Sequence, residues 1–139
     1  MGGHDLMEHR KLEIGDWTVD FLFADEGYDE ELILTYLYYN EAPYDIMMDT
    51  RQLLRSGMNK GFTYSDPEFK YALVVVGPAS SGAEFIDTLV HEIFHLAVAV
   101  ALKEGASLKG EVPAYIAGDS ARDLSDSICR LGCVPMSFQ

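Results

Sequence analysis

The sequence predicts an α+β domain, a small and mostly antiparallel sheet beside a buried helix, with a second helix following it. Three observations predict it. Alternating apolar residues run from Leu12 to Ala24, a turn cluster at Ser65–Glu68 separates two strand-like stretches, and one apolar run extends from Phe85 to Leu102. At 139 residues and 48% hydrophobic content, the chain is long enough to bury one core.

The first ten residues, MGGHDLMEHR, are polar and read as a flexible tail in which His4 and His9 are solvated. Residues 11–139 read as one domain. From Leu12 to Ala24, Trp17, Val19, Phe21 and Phe23 alternate with Asp16, Thr18 and Asp20, the period of a strand. Asp29 to Tyr39 reads as a helix, with Asp29, Glu30 and Glu31 suiting its first turn and Tyr36, Tyr38 and Tyr39 taken for packing residues. Pro43 to Arg55 is a second helical stretch. Gly61–Tyr64 and Phe69–Val76 form a hairpin about the turn cluster.

Gly77 to Gly82 is a loop. Ser81 with Glu84 three residues on is a capping box opening a helix that runs to about Lys103, before Gly105. A last helix is expected from Gly110 to Leu131, with Pro113 in its first turn. Cys129 and Cys133, in C-x-x-x-C spacing, match neither a redox pair nor a zinc ribbon and read as reduced, partly buried thiols.

Charge and composition exclude several functions. A net charge of −13 repels phosphate backbones, so no nucleic-acid partner is expected. The polar N-terminus has no apolar signal core, and the run from Leu89 to Leu102 is too short to span a bilayer. A cytoplasmic protein with no membrane partner is expected. Gly77–Gly82 has the G-x-x-x-x-G outline of a phosphate loop. Ala83 and Glu84 follow where Lys and Ser or Thr are needed, so nucleotide binding is excluded.

The chemistry concentrates at His91-Glu92-Ile93-Phe94-His95, an H-E-x-x-H sequence inside the apolar run. Residues four apart on a helix share a face, so the two imidazoles can hold one Zn²⁺ and Glu92 can reach water beside it. At average composition a chain of this length matches the pattern by accident well under ~1% of the time. A cation also compensates a buried carboxylate set between two imidazoles.

A catalytic zinc needs a third protein ligand. A metzincin would place Gly and His at positions held here by Val98 and Ala101. Glu104 is half a turn out of phase with the histidines. Glu111, beyond the turn, is the favoured ligand, and Asp119, two turns further along the same face, is the alternative.

With Glu111-Val112-Pro113-Ala114-Tyr115 after the motif, the stretch from Phe69 to Asp119 resembles the gluzincin group of zinc metallopeptidases. The resemblance implies a zincin-like fold, zinc held by His91, His95 and Glu111, and Glu92 as general base, with a peptide or protein substrate. Small acidic members of such groups are often encoded by phages and mobile elements. The chain departs from the group at Tyr115, where an Asp is usual, and in the short separation of His95 from Glu111.

On this reading Tyr115 donates to the developing oxyanion, and the strand Phe69–Val76 borders the cleft and pairs with an extended peptide. Two other functions share the same residues. One is a catalytically silent zincin-fold binding protein that retains the metal; the other is a metal hydrolase for non-peptide amides or esters.

Overall fold

Every residue from Tyr71 to Val76 is buried, as expected of a strand covered on both faces. The computed structural model describes residues 7–25, 27–57, 60–107 and 110–132. In chain order the elements are β1 (Met7–Ile14), β2 (Trp17–Ala24), α1 (Glu30–Tyr39), α2 (Tyr44–Ser56), β3 (Gly61–Asp66), β4 (Tyr71–Val76), α3 (Gly82–Lys103), α4 (Val112–Asp123) and α5 (Ser125–Gly132). The architecture is α+β, built on a mixed four-stranded sheet of order β1-β2-β4-β3. β1–β2 and β3–β4 pair antiparallel, and β2–β4 pair parallel.

Strand alternation divides the core into two layers. Val19, Phe21 and Phe23 of β2, with Ala72, Val74 and Val76 of β4, face Phe85, Leu89, Ile93, Leu96 and Val100 of α3. Leu22, Leu73 and Val75 face the other way, onto Ile33, Leu34 and Leu37 of α1 and Leu54 of α2. The α1–α2 segment therefore covers one face while carrying the chain between the parallel strands. α3, α4 and α5 cover the other.

Several expectations are corrected. Residues 7–10 are not tail but the start of β1: His9 Nε2 lies 2.7 Å from Asp20 Oδ1, and its ring sits 5.3 Å from that of Tyr36. His4 lies outside the described residues. Asp20, only 6% exposed, also accepts from the Tyr71 hydroxyl at 2.9 Å. Burial, with the Asp20 charge beside it, pushes the Tyr71 phenol far above its ordinary range.

The expected last helix is two, because the chain turns at Leu124 (φ −96°, ψ 8°) to drive that side chain fully into the core. Tyr38 and Tyr39 meet edge to face in solvent rather than packing. Cys129 is an exposed thiol on α5, and Cys133 lies outside the described residues.

α3 also differs from the wholly buried helix its composition suggests. Val90, Phe94 and Leu102 are each about 60% exposed. By length and composition α3 suffices to cross a membrane, unlike the shorter run considered above, yet half of it is buried within the fold.

Its start is secured twice. The Ser81 hydroxyl accepts from the Glu84 amide at 3.1 Å. The Glu84 carboxylate closes not on Ser81, as a reciprocal box would, but on the Ser80 amide at 2.6 Å, with Lys60 Nζ at 3.0 Å. The Ser80 N–H, then the Lys60 ammonium and Ser80 hydroxyl, hold the Glu84 carboxyl down to about 2.

Two outcomes follow. Leu96→Ala, which empties a fully buried position on α3, lowers stability by about 3 kcal/mol in urea unfolding. Glu84→Gln lowers Tm at neutral pH. Because the folded-state value is depressed, that contribution is present above the ordinary value of 4.5 and is lost as pH falls toward 2. The Tm gap between variant and wild type therefore narrows across that window.

Candidate metal centre

α3 presents the two histidines about one turn apart on its solvent side. His91 and His95 are both exposed, with ring centroids 4.7 Å apart and ring planes at 80°. Their Nε2 atoms lie 3.2 Å apart. With Zn–N bonds of ~2.0–2.1 Å, that separation closes an N–Zn–N angle of about 100°, near tetrahedral. The pair therefore fits a metal's bite. The same spacing suits a proton donated from one ring to the other, so proton and metal compete for it.

Glu92 is turned toward the crossing of α3 with β3 and is 5% exposed. The Thr63 hydroxyl donates to its Oε1 at 2.9 Å and lies 3.2 Å from its backbone carbonyl. Gly61 permits this closeness. A Cβ there would stand 2.6 Å from the Val75 carbonyl, 3.2 Å from Thr88 Cγ2 and 3.4 Å from Glu92 Cγ. A side chain at 61 would collide first with the β4 backbone at Val75 and would also crowd Thr88 on the helix. Tyr28 is set nearby, its phenol raised by burial and then by the Glu92 charge.

The histidines and Glu92 open onto a cleft of about 750 Å³ between α3 and β3. Thr63, Ser65 and Pro67 form one wall; Val98, Ala99 and Leu102 continue the other toward Lys103. A smaller recess on the far side of His91 is lined by Lys60, Asp87 and Thr88.

The strand bordering this cleft is not Phe69–Val76. That strand, β4, is held between β2 and β3, so its backbone groups are already paired. The border is β3, which the order of the sheet leaves at an edge.

The other expected site residues lie elsewhere. Glu111 stands at the N-cap of α4, exposed, with its carbonyl accepting from the Tyr115 amide at 2.9 Å. Tyr115 is 65% exposed and, with Asp119, lines a groove beside Glu13 and Gly15 of the β1–β2 turn. Asp119 pairs with Arg122 at 3.4 Å. Among the described residues no third His, Cys, Asp or Glu joins the histidine pair. The reason is packing: α3 rests on β3 and β4, whereas α4 lies against α3 and β1, toward the opposite edge of the sheet.

Sequence reasoning missed Thr63, Gly61 and Tyr28, which are distant from the motif in the chain and meet it only through the crossing of α3 and β3. A threonine set between Phe62 and Tyr64 in the hairpin strand is the one signal that pointed there.

Thr63→Val, close in shape but without the donor, leaves a buried carboxylate short of a hydrogen bond. It is expected to cost about 1–3 kcal/mol in urea unfolding, and pairing it with Glu92→Leu recovers part of that loss because both polar partners are then gone.

Compared with protein-family models, curated proteins and solved structures, the chain matches none.

Proposed function

We propose that this chain is a zinc-dependent hydrolase of peptide bonds with a zincin-like arrangement, in which His91 and His95 hold the ion and Glu92 handles the proton. The observation that carries it is the 3.2 Å approach of two exposed imidazole nitrogens beside a buried glutamate. Zinc held there supplies Lewis acidity, which polarises an amide carbonyl and acidifies water. The chain's own residues do the rest. Thr63 orients the Glu92 carboxylate through Oε1. Glu92 accepts a proton from water and returns it to the leaving amine.

β3 supports a peptide as the substrate. Its sequence, GFTYSD, carries a single charge, at its end, whereas the other edge, β1, reads MEHRKLEI. Charged edges discourage strand pairing, so β3 is the edge fitted to receive an extended chain.

Glu111 enters this reading only as the ligand that the gluzincin resemblance implies. Its distance from the pair is also the observation favouring the second reading, a protein that holds metal without turnover.

Elemental analysis of purified protein separates these readings. About one zinc per chain is expected, lost in His91→Ala and His95→Ala and kept in Glu92→Gln, with peptide cleavage abolished in all three. Wild-type protein without zinc overturns both readings; stoichiometric zinc without cleavage of any peptide in a broad library overturns the first and leaves the second.

A further inference from the structure

Charge along the cleft is uneven. Among its described lining residues the one carboxylate is Glu92, already engaged by Thr63. At the far end stands Lys103, exposed on the last turn of α3. Among the described residues, no carboxylate forms an ion pair with it. Asp16 lies within its field, but Asp16 is hydrogen-bonded to Lys70. The other lysine near the motif, Lys60, is neutralised by Glu84 at 3.0 Å. Among the described residues the cleft thus has one uncommitted cation, at one end, in a chain whose net charge is −13.

Distance fixes what that cation can meet. Eight residues of helix separate His95 from Lys103, about 12 Å at ~1.5 Å per residue. An extended peptide rises ~3.3 Å per residue, so that span covers three to four residues of a bound chain. Val98, Ala99 and Leu102 make the interval apolar. A cation beside such a surface is less hydrated than one in open water, which strengthens its attraction for a carboxylate.

Resting on the peptidase reading above, we propose that Lys103 determines specificity, selecting peptides with an acidic side chain or a terminal carboxylate three to four residues from the cleaved bond and apolar residues between. The preference is local and runs against the overall charge of the protein, which disfavours acidic peptides elsewhere on its surface. The lysine touches no reacting atom. It acts on substrate affinity, so its effect falls on KM and leaves kcat near its wild-type value.

The test uses zinc-loaded protein and a peptide set with Glu, Gln or Lys scanned through each position on both sides of the cleaved bond. Wild type is expected to cleave the Glu peptide about fivefold better than the Gln peptide at one position three to four residues out, and Lys103→Glu to reverse that order in favour of the Lys peptide. Fluorescence anisotropy of the same labelled peptides on Glu92→Gln protein gives the preference in binding without turnover. Terminal amidation separates a side-chain carboxylate from a chain terminus. Cleavage with no charge preference, or with a preference that Lys103→Glu leaves unchanged, overturns the role of Lys103 alone. No cleavage of any peptide by zinc-loaded wild type overturns the peptidase reading, and this inference with it.

Discussion

The Glu92 carboxylate is buried where α3 crosses β3, and a carboxylate taken out of water has to be given a donor. Thr63 is that donor, and it can serve only if the strand comes within hydrogen-bonding distance of the helix. Gly61 lets β3 pair closely with β4 beneath the helix, and that pairing places Thr63 in register across from Val74. Once the crossing is set, the rest of the motif follows from helical geometry. Residues one before and three after Glu92 must emerge on the solvent side, which brings the two imidazole nitrogens together above the cleft.

The sheet serves this crossing by being rigid where α3 rests. β2 and β4 are covered on both sides, so α3 packs on a surface of interlocked apolar side chains rather than on one that can slide. Phe85, Leu89, Ile93, Leu96 and Val100 fix the rotation of the helix about its axis. That rotation points Glu92 inward and the histidines outward. The same rotation leaves Val90 and Phe94 in solvent, since a helix apolar on every side must expose some of it when the sheet, α4 and α5 together cover only part of its circumference.

Much of this was legible in the chain, for reasons that can be named. α3 runs from Gly82 to Lys103 as expected because Ser81, Glu84 and Gly105 are local signals acting within a turn. The β3–β4 hairpin and both halves of the α1–α2 segment were legible for the same reason. Met7–Arg10 was not, because an edge strand can be built from charged residues once its neighbour supplies the pairing. The parallel pairing of β2 with β4 joins strands more than forty residues apart, and no local pattern announces it. That pairing decides which strand borders the cleft, so the border was misplaced. The position of α4 likewise depends on where Leu124 and Ile116 find a core, which is why the motif histidines could be read from spacing and the surroundings of Glu111 could not.

β3 has a further consequence. A strand at the edge of a sheet is a template that does not distinguish a foreign chain from a second molecule of its own kind. With so few charges on the strand itself, what discourages sideways stacking is the repulsion between two strongly anionic bodies, which fades as salt rises and the screening length shortens. The acidity of the whole chain, which has no part in the chemistry of the imidazoles, thereby guards the β3 edge of the sheet and ties the colloidal behaviour of the protein to ionic strength.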